Sequence, residues 1–162
     1  MNLLKSFKIC VIMFTLIILS NNTYAQITKD IKHDEALSVL LAAKKMAEKS
    51  NILVNIAVVD AGANLKAFIR MDESFIGSID VAIKKAKTAR YFNIDTGKLG
   101  ELTQPGGIIY NIEHSNGGLI TFPGGIPIKN KDGKIIGAIG VSGGTIDQDR
   151  AIATAGAASV IE

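Results

Sequence analysis

This 162-residue chain has two histidines, His33 and His114, which are candidate metal ligands. Neither has a second histidine at the spacing of a zinc site, and no cluster of histidine with carboxylates accompanies them. One axial ligand is nevertheless enough to hold haem iron, and histidine, tyrosine and methionine all serve in that role. The alternative is that both histidines are ordinary surface residues. The candidate haem ligands are His114, which we predict to be the metal-binding residue, then His33, Tyr110, Tyr91 and lastly Met71.

A glycine-rich segment, 137–145, indicates a second kind of candidate site. Its spacing does not match the fingerprint of a dinucleotide-binding fold, and no strand follows it. A strand that runs through glycines into a helix presents free backbone N–H groups, which can hold a carboxylate or phosphate. Ser142, Gly143 and Gly144 are therefore candidate cofactor-binding residues. The alternative is a tight connection that packs the last helix onto the sheet.

The segment 122–127, Phe-Pro-Gly-Gly-Ile-Pro, is a second glycine-rich turn. Glycine lets a backbone approach closely to a ligand or to another subunit, so Gly124 and Gly125 join the candidate cofactor-binding residues. Turn geometry alone explains the same pair of glycines equally well.

Hydrolytic and thiol chemistry find no support in the sequence. There is no Gly-x-Ser-x-Gly elbow, and Ser142 has no identifiable base. Asp147 and Asp149 stand two apart at the start of a predicted helix, where acids complement the helix dipole, so we do not interpret them as a catalytic pair. The one cysteine, Cys10, lies in the N-terminal apolar segment. We therefore predict no catalytic residues.

Residues 1–25 have the layout of a secretory signal peptide. Lys5 and Lys8 precede an apolar run over 9–19, and small residues precede the expected cleavage after Ala25. The run is too short for a membrane-spanning helix, which needs about 17–25 residues. We therefore expect a periplasmic or secreted protein with no membrane span after cleavage. Without the signal, acidic and basic residues nearly balance, which argues against binding to nucleic acid.

Hydrophobic periodicity predicts one α+β domain over 26–162, with a five-stranded antiparallel sheet flanked by helices. A helix should begin near His33 and end near Ser50, and a capping box, Thr145-x-x-Gln148, should open the last helix. Lys85 is expected on a polar face of the second helix. The remaining predicted helices are Ser78 to Phe92, Thr96 to Leu102 and Ile108 to Glu113, and the predicted strands are Val54 to Val59, Leu65 to Met71, Leu119 to Phe122, Ile126 to Lys129 and Ile135 to Val141.

Several segments together resemble the GlcG/HbpS family, which includes the C-terminal domain of PduO-type corrinoid adenosyltransferases. They occur in the same order and spacing as in that family, and the resemblance spans about His33 to Ile161. The segments are 58–65 (VVDAGANL), 70–75 (RMDESF), 82–86 (AIKKA), 122–128 (FPGGIPI) and 137–144 (GAIGVSGG).

The resemblance implies a profilin-like sandwich that self-associates, often as dimers that build an octamer, and it implies haem binding, which occurs in exported and in PduO-linked members. Some exported members assist a sensor kinase. The chain shows no counterpart of the catalytic domain of the adenosyltransferases, so their activity is not implied. The leading hypothesis is an exported, oligomeric haem-binding or haem-sensing accessory protein, with an envelope sensor or a haem-uptake protein as partner. The alternatives are an accessory protein or enzyme for a hydroxyacid, an aldehyde or the corrinoid pathway, and a purely structural oligomerisation module.

Overall fold

Four antiparallel strands form a single sheet in a computed structural model that describes residues 30–160. The strands are β1 (Asn55–Asp60), β2 (Leu65–Arg70), β3 (Gly125–Lys129) and β4 (Ile135–Ser142). They lie in the order β2-β1-β4-β3, so β1 and β4 are central and β2 and β3 are edge strands. The predicted signal peptide, residues 1–25, lies outside the described residues.

Four α-helices and one short 3-10 helix complete the described part of the chain. They are α1 (His33–Lys49), α2 (Ser78–Phe92), α3 (Thr96–Leu102), the 3-10 helix (Ile112–His114) and α4 (Ile146–Ala158). Within residues 30–160, none of the helices combines the length and hydropathy needed to cross a bilayer.

The two faces of the sheet carry different helices, because neighbouring side chains along a strand point to opposite faces. Ile56 and Val58 of β1 face the larger core, which α1 and α4 cover. Ala57 and Val59 face a smaller core, which α2 covers. The second face is built from small side chains, so α2 approaches the sheet closely. A Cβ atom at Gly140 would lie only 2.1 Å from the carbonyl oxygen of Ala82 in α2.

The predicted capping box at the start of α4 is confirmed. The backbone N–H of Gln148 donates to Thr145 Oγ1 at 3.3 Å, and the N–H of Thr145 donates to Gln148 Oε1 at 2.9 Å. The α+β class is confirmed, and the helices predicted over Ser78 to Phe92 and Thr96 to Leu102 have the bounds that the structure shows.

The prediction of a fifth strand is wrong, since Leu119 to Phe122 forms no strand. This segment forms hydrogen bonds with side chains of α2 and α3 instead of with a strand. The N–H of Ile120 donates to Thr88 Oγ1 at 3.1 Å, and the carbonyl oxygen of Phe122 accepts from Thr96 Oγ1 at 2.8 Å.

The helix predicted over Ile108 to Glu113 is also wrong in extent. The structure has successive turns here, and only Ile112–His114 forms a single 3-10 turn. Asn111 precedes that turn in the left-handed conformation, with φ of 67°, which interrupts an α-helix.

Candidate functional site

A buried ion pair lies where the two glycine-rich segments meet. Lys85 Nζ of α2 is 2.8 Å from Asp149 Oδ2 of α4 and donates to the carbonyl oxygen of Val141 at 2.9 Å. The Lys85 side chain is fully buried, and that of Asp149 is only 4% exposed. The ring of Phe122 covers the ammonium group, with its centroid 4.8 Å from Nζ. All these partners belong to the protein, so the ammonium group has a structural role here.

Burial shifts the pKa of both members of this pair. Loss of solvation lowers the pKa of Lys85, and the hydrogen bond and charge of Asp149 oppose that shift. Loss of solvation likewise raises the pKa of Asp149, against the hydrogen bond and charge of Lys85 and the backbone N–H groups of Gly144 and Gly143. A charge is expensive to bury without a partner, so each residue depends on the other.

Sequence reasoning missed this pair, and the prediction that Lys85 lies on a polar face is wrong. Lys85 stands three residues after Ala82 and four before Ala89, which places it on the same buried helix face as these alanines. That spacing could have indicated that Lys85 is buried, but a charged side chain is usually assigned to the exposed face of a helix. Asp149 lies in the first turn of α4 as predicted, but its main contact is Lys85.

Gly124 makes room for the ion pair, and Gly125 makes room for the backbone of Lys85. Gly124 has a φ of 122°, and a Cβ atom there would lie 2.7 Å from both Lys85 Nζ and the carbonyl oxygen of Val141. A Cβ atom at Gly125 would lie 2.4 Å from the carbonyl oxygen of Lys85. Close packing inside the chain therefore accounts for this turn, and contact with a ligand stays a prediction.

Ser142, Gly143 and Gly144 lead from β4 into α4, as the sequence predicted. The N–H of Gly144 donates to Asp149 Oδ1 at 2.9 Å. Gly143 lies so close to the segment before β1 that a Cβ atom at Gly143 would lie 2.4 Å from the carbonyl oxygen of Leu53. These contacts occupy part of the helix N-terminus with the protein's own carboxylate. Binding of a carboxylate or phosphate ligand here stays a prediction.

An open cleft of about 540 Å³ lies beside this turn. Gly143, Gly144 and the start of α4 line it, together with Leu53 and the exposed Phe75. Among residues 30–160, no histidine, tyrosine or methionine lines it. The structure therefore does not bring the glycine-rich cleft together with the predicted axial ligands.

His114 and Tyr110 lie together on an exposed loop between α3 and β3. His114 ends the 3-10 turn with its side chain exposed, and Tyr110 is 54% exposed. Ile108, two residues before Tyr110, is 86% exposed. An imidazole, a phenol and a large aliphatic side chain thus share one solvent-facing segment. We call this segment, residues 108–114, the ligand loop.

The ligand loop leads into a segment that runs beside α2. A Cβ atom at Gly118 would lie 3.4 Å from Lys84 Nζ, so the ammonium group of that lysine is close to this following segment. Lys84 shares its stripe of α2 with Thr88 and the exposed Tyr91, each about one turn from the next. The face of α2 next to the segment that follows the ligand loop therefore offers a cation and a further aromatic residue.

Glu113, next to His114, remains a carboxylate over a wider pH range than usual. Thr121 Oγ1 donates to Glu113 Oε1 at 2.7 Å. This hydrogen bond is the main reason why the pKa of Glu113 lies below its ordinary value, and the charge of His114 contributes less. A negative charge therefore stays beside the imidazole.

His33 lies far from the ligand loop in the architecture, at the first residue of α1 on the opposite face of the sheet. It is exposed, and its neighbours include the charged residues Lys32 and Asp34. Met71 follows β2 and packs against the core formed under α1 and α4. Neither residue joins His114. Within residues 30–160 no group of three or more histidine, cysteine or acidic side chains is placed to hold a metal ion.

Comparison with known proteins places these features in a family. The chain is 40% identical over 126 residues to a 15.0 kDa protein from the dhaT-dhaS intergenic region of Citrobacter freundii, covering 73% of this chain and 88% of that protein. It is 35% identical over 120 residues to the corrinoid adenosyltransferase PduO of Salmonella typhimurium. That match covers 74% of this chain but only 35% of PduO, so the chain spans about a third of the length of that enzyme.

A solved structure gives the same relationship in three dimensions. The crystal structure of a PduOC:heme complex superimposes with a TM-score of 0.76 at 30% identity, covering 82% of this chain and 99% of that chain. The sequence model of the family described as "Haem degrading protein HbpS-like" matches residues 31–158. The resemblance found in the sequence is thereby confirmed, and the chain belongs to the HbpS-like family.

Proposed function

We propose that this protein binds haem as an accessory protein, with His114 as the axial ligand. The observation that carries the proposal is the similarity, over nearly all of the related domain, to a structure solved as a haem complex. His114 is favoured over His33 by its surroundings. Tyr110 and Ile108 add exposed aromatic and aliphatic surface beside it, which suits a flat apolar macrocycle.

Charge supports the same assignment. The carboxylates of haem need cations or water, and the ammonium group of Lys84 lies beside the segment that follows the ligand loop. Lys84 is bound to Asp80 at 2.8 Å on the exposed side of α2, where solvent weakens the pair. An exchange of Asp80 for a haem carboxylate therefore costs little.

The proposal includes self-association. The ligand loop is exposed, so it covers only one face of a bound haem and leaves the other face in water. A second copy that covers this face would bury apolar surface from both sides, at roughly 25 cal/mol per Å². We therefore propose a dimer-based oligomer, up to an octamer, in which haem binding and association support each other.

Export completes the proposal. The signal peptide predicted at residues 1–25 would deliver the protein to the periplasm or outside the cell, where an envelope sensor or a haem-uptake protein would be its partner. A haem-sensing role is the form of accessory function that fits this location.

The test is a titration of the purified protein with haemin, followed by absorbance and by light scattering for mass. We expect a saturable shift of the Soret band on a defined oligomer. The absence of a shift at micromolar protein would overturn haem binding and would favour the small-molecule or structural alternatives. The family's description names haem degradation, so the same sample is followed over time, where a stable Soret band indicates binding without turnover.

A further inference from the structure

A hollow of about 450 Å³ lies beside the edge strand β3, away from the ligand loop. Its lining is completed by residues 93–95, by the first turn of α3, and by Arg150 and Thr154 of α4. Three cationic side chains line it, Lys98, Lys129 and Arg150, together with a single carboxylate, that of Asp95. This volume lies within the range of small-molecule sites.

Both oxygen atoms of the Asp95 carboxylate have partners within the protein. Its Oδ2 atom lies 2.6 Å from Arg150 Nη2, and its Oδ1 atom accepts from the backbone N–H of Gly97 at 2.7 Å, as the N-cap of α3. The ion pair fixes the guanidinium group of Arg150, which has further N–H donors, and the Arg150 side chain is still 45% exposed.

The two lysines add charge that nothing in the described chain neutralises. No ion pair or hydrogen bond of the Lys98 or Lys129 side chain occurs within residues 30–160. Together with Arg150 and Asp95 they give the hollow two net positive charges. Such a site matches a compact dianion.

The hollow also has an apolar wall. Ile126 and Pro127 of β3 belong to its lining. A wall of this kind favours a ligand with a hydrocarbon stem over an inorganic anion. Pro127 lies on an edge strand, where its missing N–H removes no bond of the ladder.

We propose that this hollow binds a small aliphatic dicarboxylate. Arg150, held by Asp95, would take one carboxylate through its remaining N–H groups, since the planar guanidinium matches a carboxylate. Lys98 and Lys129 would take the other, and the hydrocarbon stem would lie against Ile126 and Pro127. This site is independent of the haem proposal, because none of its residues belongs to the ligand loop.

The test is calorimetric titration of the haem-free protein with glutarate, butyrate and inorganic phosphate at physiological salt. We expect saturable binding of one glutarate per chain, with butyrate and phosphate each at least about tenfold weaker. The variant Lys98→Gln/Lys129→Gln should weaken glutarate binding by about tenfold or more. A matched control, Lys45→Gln/Lys49→Gln, removes the same charge from the exposed side of α1 and should leave glutarate binding unchanged.

Three results would overturn the proposal. One is the absence of glutarate binding to the unaltered protein, and another is an equal loss of binding in the control variant. The third is phosphate binding as tight as glutarate, which would mean that the hollow recognises charge alone. If the unaltered protein binds no glutarate and Lys98→Gln/Lys129→Gln self-associates, then the role of the lysines is to prevent the edge strand β3 from pairing with another chain. A haemin titration of the same variant keeps the two proposals apart, since we expect its Soret shift to be unchanged.

Discussion

Lys85 and Asp149 are 64 residues apart in the sequence, yet their charged groups meet at 2.8 Å. The pair joins α2, which lies on one face of the sheet, to α4, which lies on the other. The pair lies against Gly124, which precedes β3 and is hydrogen-bonded to Val141 near the end of β4. A side chain at Gly124 would collide with Lys85 Nζ. The glycine-rich segments that looked like ligand-binding loops thus have a structural role around one buried ion pair.

Removing either member of this pair should destabilise the protein strongly. Lys85→Met leaves a buried carboxylate, and Asp149→Asn leaves a buried ammonium group. Loss of one partner from a buried pair costs about 3–5 kcal/mol. The free energy of unfolding, measured in urea, should fall by this amount in each variant. The double variant Lys85→Met/Asp149→Leu should lose less than the sum of the single losses. Single variants within about 0.5 kcal/mol of the unaltered protein would contradict this role.

Gly124→Ala should lower the free energy of unfolding by about 2–4 kcal/mol, because it combines a left-handed φ with overpacking. The new methyl group would lie 2.7 Å from the carbonyl oxygen of Val141, which is backbone and cannot move aside easily. Gly77→Ala is the matched control, since nothing lies within 4 Å of a Cβ atom there and its φ is −61°. Equal stability of the two variants in thermal unfolding would show that Gly124 is not under this constraint.

Thr121→Val should raise the pKa of Glu113 toward its ordinary value by removing the hydroxyl that donates to it. A carboxyl whose pKa is lowered in the folded protein contributes stability above its unfolded pKa, and loses it as the pH falls through the folded pKa. The stability difference between the unaltered protein and the variant should therefore shrink below about pH 4.5, the ordinary value for this carboxyl. Carboxyl NMR titration measures the shift directly. Thr121→Ser keeps the hydroxyl and should preserve the low pKa, whereas an unchanged pKa in Thr121→Val would refute the assignment.

Export should remove residues 1–25 from the 162-residue chain. When that chain is produced in a bacterial host and recovered from the periplasm or the medium, mass spectrometry should find Gln26 as the first residue. Recovery of the protein only in the cytoplasm, with Met1 or Asn2 at its start, would contradict export.

The secondary-structure elements were predicted correctly from the sequence where residues close together in the chain determine them. Ser78 to Phe92 has a clear helical period, and Thr145 with Gln148 forms a local cap, so both predictions match the structure. Leu119 to Phe122 was wrongly predicted as a strand, because its apolar residues have the pattern of a strand but its hydrogen-bond partners are side chains of α2 and α3. Partners that are distant in the sequence leave no local pattern.

The candidate site was predictable only in part. The histidines and tyrosines were identified by type, and their separation from the glycine-rich cleft depends on the packing of the sheet. Lys85 was missed because a charged residue is rarely buried, and the partner that allows its burial, Asp149, belongs to the last helix.

The measurement that tests the central claim most directly is the Soret spectrum of the haemin complex in three proteins. They are the unaltered protein, His114→Ala and His33→Ala. We predict that His114→Ala shifts the Soret band and weakens haemin binding by about tenfold or more, while His33→Ala matches the unaltered protein. A His114→Ala spectrum identical to that of the unaltered protein would contradict the assignment of the axial ligand.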